Sequence, residues 1–225
     1  VKAMATREED YVETVFTAST HDSILFFTNL GKVYVRKGYR IPEAGRSARG
    51  QNIVNIIPTD PGEKVSAMIA GRGITEDNYL VFVTRSGTVK RTAQSAFKNI
   101  RSNGIRALSL DEGDELITVL QTSGEDKILL ATHDGMAICF NETDARAMGR
   151  DAVGVRGIRL REGDFVVGAG IAAEGSAILS ITENGYGKRT DVGEYSVQNR
   201  GGMGLKNYNV TDKTGPIADV VIVHG

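Results

Sequence analysis

One phrase recurs four times along the 225-residue chain: a small polar residue, an apolar run, a Thr, two residues, a Gly, then an arm. It reads DSILFFTNLGKVYVRK from Asp22, DNYLVFVTRSGTVKRT from Asp77, DKILLATHDGMAICFN from Asp126 and SAILSITENGYGKRT from Ser176. The Thr is Thr28, Thr84, Thr132 and Thr182, and the Gly follows three residues later at Gly31, Gly87, Gly135 and Gly185. A period of about 50 residues, each carrying short β-type strands, predicts a propeller or a related array. The arms Ile24 to Phe27, Tyr79 to Val83 and Ile128 to Ala131 are continuously apolar rather than alternating. Both of their faces must therefore be buried, as for inner strands covered by neighbouring blades. The recurrent Gly supplies a positive φ at each hairpin turn.

Each period opens on an acidic turn and a strand: EEDYVETVFTAS from Glu8, PGEKVSAMIA from Pro61, DEGDELITVLQT from Asp111 and REGDFVVGAGI from Arg161. The hairpin follows, then a Gly-rich segment bearing Arg. The predicted units are approximately 1–52, 53–104, 105–157 and 158–204, with a partial unit over 205–225. That makes an all-β chain of four complete blades plus part of another. Because it starts and stops at nearly the same phase, it reads as a piece of a longer array, open near 1–20 and 205–225. The apolar strand Val220 to Val223 then needs a partner, either the N-terminal strand or a neighbouring molecule.

Composition narrows the setting. Hydrophobic residues make up 40%, enough for a core, and 27 Gly against 4 Pro suits many tight turns. A single cysteine, Cys139, excludes an intrachain disulfide and favours a cytoplasmic location. No apolar stretch reaches membrane-spanning length, so no membrane partner is expected.

The formal net charge is −1, with 27 basic and 28 acidic residues, which alone argues against nucleic acid. Distribution reverses that. Basic residues gather on the outgoing hairpin arms, as Arg36 and Lys37, Lys90 and Arg91, Lys188 and Arg189. They gather again in the Gly-rich segments, as Arg46, Arg49, Arg101, Arg106, Arg146, Arg150, Arg156, Arg200 and Lys206. Acids gather in the opening turns. In a radial array, positions in step lie at equivalent places, so a basic rim can coexist with an acidic face. Gly beside Arg lets a phosphate approach backbone N–H groups while the guanidinium grips its oxygens. Duplex DNA is the polyanion expected, held through phosphates with little base readout. The bland alternative is that these are ordinary solubilising charges. The third arm departs from the pattern, with Ile138, Cys139 and Phe140 in place of a basic pair, unless Arg146, Arg150 and Arg156 compensate.

Catalytic chemistry has no carrier. His21, His133 and His224 are read as turn residues, no Cys/His/Asp set has metal-ligand spacing, and no phosphate-binding G-x-x-x-x-G-K-[ST] loop occurs. The expected catalytic and metal residues are none.

Five phrases carry a family likeness: THDSILFFTNLGKVY, IPEAGRSARGQNIVNIIP, DELITVLQTSGED, RAMGRDAVGVRGIRLREGD and TENGYGKRT. They resemble the C-terminal domain of the DNA gyrase A subunit, with the equivalent domain of topoisomerase IV as the close competitor. The resemblance covers essentially the whole chain. It implies a β-pinwheel, a propeller variant whose blades exchange strands with their neighbours. It also implies wrapping of double-stranded DNA around a basic outer rim in support of ATP-dependent negative supercoiling. By that likeness the chain is not an enzyme by itself, and it takes no cofactor. ATP and Mg belong to the complete enzyme. The partners implied are DNA, the rest of the gyrase A protein and the gyrase B protein. The family's wrapping box is Gln, two basic residues, Gly-Gly, a basic residue and Gly. Here QNRGGMG, Gln198 to Gly204, substitutes Asn199 and Met203 for two of the basic residues. In relatives the box lies just before a sequence like VKAMATREEDY, so the resemblance places it ahead of Val1.

Two other classes compete. A protein-interaction propeller of the WD40 kind would not bind DNA, but the chain has no Trp and its period exceeds 40–45 residues. A propeller enzyme with an axial metal would need an acid or His cluster recurring at the hairpins.

Overall fold

A computed structural model of the protein describes residues 23–37, 60–70, 78–98, 100 and 104–224. The strands are β1 (Ser23–Thr28), β2 (Lys32–Lys37), β3 (Val65–Ala70), β4 (Tyr79–Thr84), β5 (Thr88–Ala93), β6 (Ile105–Arg106), β7 (Leu116–Thr122) and β8 (Lys127–Thr132). They continue as β9 (Met136–Asn141), β10 (Val155–Arg156), β11 (Val166–Ile171), β12 (Ser176–Thr182), β13 (Gly187–Asp191), β14 (Leu205–Lys206) and β15 (Ile217–His224). They form four sheets, in the orders β3-β1-β2-β6, β10-β5-β4-β7, β11-β8-β9-β14 and β13-β12-β15. The all-β expectation holds. The likeness-implied exchange is visible in the pairing, since each hairpin is completed by strands from later periods.

The four hairpins share one chemistry. Each Thr is buried, and its carbonyl accepts the turn Gly N–H, at 2.9, 3.1, 3.1 and 3.0 Å in chain order. Its hydroxyl accepts the N–H four residues on, from Lys32, Thr88, Met136 and Tyr186, at 3.4, 3.2, 3.1 and 3.0 Å. Gly31, Gly87, Gly135 and Gly185 sit at φ of 82, 91, 92 and 88°, a region an L side chain resists. The carbonyls of Gly31, Gly87 and Gly135 then receive the N–H groups of Ala107, Gly157 and Asn207 at 2.7, 2.8 and 2.7 Å. Those residues directly follow β6, β10 and β14. The short outermost strands are thus anchored to the turns of the blade they complete.

The apolar arms are shared between neighbouring blades. On β4, Leu80 and Phe82 join Leu25, Phe27 and Phe97 in one buried cluster, while Val81 and Val83 join Ile128, Leu130, Ile138 and Phe140 in another. Leu129 and Ala131 of β8 pack in turn with Ile178 and Ile217. Phe27 meets the edges of Phe82 and Phe97 at ring distances of 5.4 and 5.7 Å. At the inner side β3, β7, β11 and β15 pack one on the next. At Gly168 and Gly170 of β11, a Cβ would overlap the side chains of Val220 and Ile222, so glycine there lets β15 close in.

Two expectations are corrected. Val220 to Val223 pairs with β12 of its own sheet, Ile178 opposite Ile222 and Ser180 opposite Val220, a partner the sequence reading did not offer. It is the opening strand of the next period completing the preceding hairpin. His224 lies in that strand rather than a turn, its Nδ1 2.8 Å from the Ser176 hydroxyl. The expected opening at residues 1–20 and the histidine His21 lie outside the described residues.

The turn geometry generates a test. Gly154 has φ +110°, and a Cβ there would overlap the Val89 carbonyl, whereas Gly113 has φ +80° with nothing near. Gly113→Ala should cost about 1 kcal/mol, and Gly154→Ala at least roughly 2 kcal/mol, since it adds a clash to a left-handed backbone. Urea unfolding at constant m-value measures both, and equal losses would show that the close approach carries no energy.

Candidate nucleic-acid interface

The basic pairs stand at different distances from their turns. Counted from the turn Gly, Lys90 and Arg91 stand at the third and fourth positions, as do Lys188 and Arg189, but Arg36 and Lys37 stand at the fifth and sixth. The register agrees: Phe26, Phe82, Leu130 and Ser180 lie opposite Tyr34, Lys90, Ile138 and Lys188. The three basic pairs are therefore not equivalent, contrary to the expectation of recurrence in step.

In the first three blades the third position faces inward, while in the fourth it is the exposed Lys188. Tyr34 and Ile138 are buried, and so is Lys90, at 1% exposure. Its ammonium donates to the carbonyls of Ala107, Gly149 and Arg150 at 2.5, 3.1 and 3.2 Å, and lies 4.8 Å from the Phe82 ring centre. All three N–H bonds are used within the protein, so Lys90 is not placed to meet a phosphate. Burial pulls its pKa down from 10.5 to about 7, with Asp151 opposing the fall and Arg150 adding to it. Arg91 is half-buried. Its Nε donates to the Ala145 carbonyl at 2.8 Å, its Nη1 lies 3.5 Å from Glu142 Oε1, and its guanidinium covers the Tyr79 ring at 4.4 Å. Glu142 is buried and also accepts from the Thr122 hydroxyl and the Asp126 N–H, at 2.8 and 2.7 Å. Arg91 is thus committed to the fold.

Other basic residues are open to solvent. Lys188 and Arg189 are exposed on β13, and Lys37 is exposed with its ammonium on the Ser23 hydroxyl at 2.9 Å. Arg36 is half-buried and donates to the Val35 carbonyl at 2.7 Å. The outermost strands show the recurrence that the arms lack. Each is a Gly at positive φ, an apolar residue and an exposed base: Gly104-Ile105-Arg106, Gly154-Val155-Arg156 and Gly204-Leu205-Lys206. Arg106 pairs with Lys32, Arg156 with Thr88 and Lys206 with Met136. This pattern was present in the Gly-rich segments and is found by counting from Gly104, Gly154 and Gly204.

The loops before β10 and β14 bridge adjacent blades. Ala147 and Val197 form parallel bridges with Arg91 and Cys139, and Met148 and Gln198 donate to the carbonyls of those same two residues at 2.7 and 2.8 Å. Arg146 is exposed and Arg150 half-buried. With Arg156 they lie along the second blade's outer edge, not the third's. Arg200, within QNRGGMG, donates to the Asp144 and Arg156 carbonyls at 3.0 and 3.1 Å. Arg46, Arg49 and Arg101 lie outside the described residues.

Acidic side chains cluster at the hairpin-turn end. Asp114 accepts from the Ser86 N–H at 3.0 Å and Asp164 from the Asp134 N–H at 3.0 Å, tying each turn to the next opening turn. Three potential metal-ligand groups, His133, Asp134 and Asp164, have atoms within 4.8 Å of one another, a grouping that residue spacing had not suggested. His133 Nδ1 lies 3.2 Å from Asp134, its Nε2 3.4 Å from Glu183, and its ring stacks on Phe165 at 4.3 Å. Asp164 Oδ1 is already shared by two backbone N–H groups.

Consecutive blades that exchange strands, with glycine-anchored outer strands carrying one base each, define a strand-exchanged β-propeller. The family model described as "DNA gyrase C-terminal domain, beta-propeller" matches residues 22–71, 78–123, 126–173 and 177–224, and the chain belongs to that family. It is 49% identical over 223 residues to the DNA gyrase A protein of Clostridium acetobutylicum, covering 99% of this chain and 27% of that protein. It is 48% identical over 228 residues to the DNA gyrase A protein of Staphylococcus aureus strain NCTC 8325, covering 100% of this chain and 26% of that protein. The chain thus spans about a quarter of the length of these relatives. Among solved structures, the C-terminal domain of DNA topoisomerase IV superposes with TM-score 0.81 at 29% identity, over 91% of this chain and 64% of that one. The DNA gyrase A C-terminal domain superposes with TM-score 0.78 at 29% identity, over 92% and 67%.

Buried Lys90 gives a pH test. The unfolded chain binds its proton near 10.5 and the folded chain only near 7, so between those values the unfolded state holds more protons. Stability should therefore rise with pH from about 7 toward 10.5 through this group, and be independent of it below 7. Chemical denaturation at pH 7 and pH 9.5 should show wild type gaining on Lys90→Ile as pH rises. A constant difference would mean that Lys90 keeps its ordinary pKa.

Proposed function

We propose that this chain is a non-catalytic DNA-binding and DNA-wrapping domain of a type II topoisomerase of the gyrase kind. It bends duplex DNA around its outer strands in support of ATP-dependent negative supercoiling. One observation carries the reading: the exposed bases Arg106, Arg156 and Lys206 recur at the same site of three successive outermost strands. A duplex laid across these edges meets one cation per blade, and backbone glycines beside each cation let phosphates come close. Such contacts position the duplex without reading its sequence. Lys37, Arg146, Arg150, Lys188, Arg189 and Arg200 extend the basic surface. Arg36, Arg46, Arg49 and Arg101 remain assigned to it from the sequence. Lys90 and Arg91 are withdrawn because the protein already uses their donors. The partners proposed are duplex DNA, the remainder of the gyrase A protein and the gyrase B protein. ATP and Mg act in the complete enzyme. A cytoplasmic location fits this role, and among the described residues no helix is long and apolar enough to cross a membrane.

Filter binding to a mixed-sequence duplex across a salt series is the test. The logarithm of affinity should fall linearly with the logarithm of salt, by about 0.9 per phosphate contact. Charge reversal at Arg106, Arg156 or Lys206 should each flatten that slope by roughly one, with stability nearly unchanged because exposed ion pairs contribute little. Reversal of Arg91 should instead lower stability. Absence of binding at low salt, or slopes indifferent to all three positions, would leave the protein-interaction propeller as the better reading.

A further inference from the structure

Among the described residues Lys90 is the one buried Lys or Arg. Its three equivalents are Tyr34, Ile138 and Lys188, so the second blade alone encloses a cation at this site. The neighbouring blade shows what the cation replaces. Ala107 and Gly157 are equivalent, each following an outermost strand and donating its N–H to a turn Gly at 2.7 and 2.8 Å. The Gly157 carbonyl accepts the backbone N–H of Gly201 at 2.7 Å, while the Ala107 carbonyl accepts the Lys90 ammonium at 2.5 Å. Two residues on, Ser109 N–H donates to Ala152 at 3.1 Å as Arg159 N–H donates to Gly202 at 2.8 Å. Asp151 therefore stands where Gly201 stands. Gly201 has φ +88°, a conformation open to glycine and resisted by aspartate's Cβ. Where the loop carries Asp151 in place of glycine, the strand beneath carries Lys90 in place of Ile138.

We infer that Lys90 is a positioning residue of the duplex-binding edge: its ammonium substitutes for a missing backbone donor and fixes the loop bearing Arg150 and Arg156 against the first blade. This rests on the DNA reading above. The ammonium holds three carbonyls from two segments: Ala107 beyond β6, and Gly149 with Arg150 in the loop before β10. The same loop is held to the first blade by the Ser109 hydroxyl on the Asp151 carbonyl at 2.7 Å. It returns to β5 at Gly154, where a Cβ would lie 2.9 Å from the Lys90 Cβ, so no slack separates cation and strand. The charged groups facing Lys90 are Arg150 and Asp151 from the loop, and β4 presents only the Phe82 ring. Lys90 thus acts on DNA through Arg150 and Arg156 without touching it.

The test uses the 225-residue chain in salt-titrated duplex binding, with K90I, D151G, K90I/D151G, R156A, K90I/R156A and K188A. Ile138 shows that isoleucine fits this site in the fold. R156A in the wild-type background should flatten the slope by about one. K90I should flatten it by roughly one to two, and R156A should then add nothing, while K188A should act equally in both backgrounds. K90I/D151G rebuilds the third blade's arrangement and should restore the D151G slope together with sensitivity to R156A. A wild-type slope in K90I, additive R156A and K90I effects, or no rescue by D151G would overturn the positioning role. If R156A has no effect even in wild type, the DNA reading of this edge fails instead. Amide hydrogen exchange at Ser109 and Ala152 then decides the loop-fixing step alone. Exchange should quicken about tenfold in K90I, and unchanged rates would overturn it.

Discussion

A strand apolar on both faces is stable only between two other sheets, and the hairpin arms β4 and β8 are of this kind. Leu80 and Phe82 of β4 are buried toward one neighbour, Val81 and Val83 toward the other. Removing either neighbour would return half of these side chains to water, at about 1.5–3 kcal/mol each. No blade is therefore a folding unit by itself, as in other arrays whose repeats bury a face only by stacking. Exchange of strands reinforces this dependence. The hairpin β4-β5 draws β7 from the next opening segment and β10 from the segment beyond the third hairpin. Pulling a blade free would break backbone pairing as well as apolar contact.

The polar groups near this core are satisfied by parts that recur. A buried Thr hydroxyl at each turn bonds a backbone N–H, leaving no orphan donor at the tightest point of the hairpin. Buried carboxylates are rarer and individually arranged. Glu142 has the Thr122 hydroxyl, the Asp126 N–H and Arg91 around it, and Glu63 has the Thr28 and Tyr34 hydroxyls at 2.7 and 3.3 Å. Such charges are tolerable only with their donors in place. Arg91 and Lys90 are best understood in the same way, as cations absorbed by the interior's own unpaired acceptors.

Local grammar was legible in the sequence; partnership was not. The Thr-x-x-Gly recurrence located every turn, and unbroken apolarity identified strands covered on both sides, because both signals are set within a few residues. The destination of Val220 to Val223 depended on a strand some 40 residues earlier, and nothing in its composition distinguishes β12 from another edge. The basic arms failed for a sharper reason. A shift of two residues keeps the face of a pleated strand but moves the side chain along it, to a different neighbourhood, and Arg36-Lys37 are displaced by two residues from Lys90-Arg91 relative to the turn Gly. Counting from Gly31 and Gly87 would have exposed that mismatch. It would not have revealed that the third position is covered by the following Gly-rich loop, which is a non-local fact. Counting from Gly104, Gly154 and Gly204 would have found Arg106, Arg156 and Lys206 in step.

A net charge near zero is compatible with the proposed hold on DNA because of where the two signs lie. The acids of the opening turns bond to hairpin turns: Asp60 meets Lys32 at 2.9 Å, Asp114 the Ser86 N–H and Asp164 the Asp134 N–H. They are fixed at the ends of the strands. The bases Arg106, Arg156 and Lys206 project from the sheets' outermost edges. At physiological ionic strength exposed charges are screened beyond roughly 8 Å, so a phosphate at an edge responds mainly to the nearest side chains and little to the sum over the chain. Glycine at 104, 154 and 204 strengthens that local response, since a Cβ at each would press on the strand beneath. The same glycines that anchor the outer strands therefore also fix where their neighbouring cations stand, and the charge pattern follows from the exchange of strands.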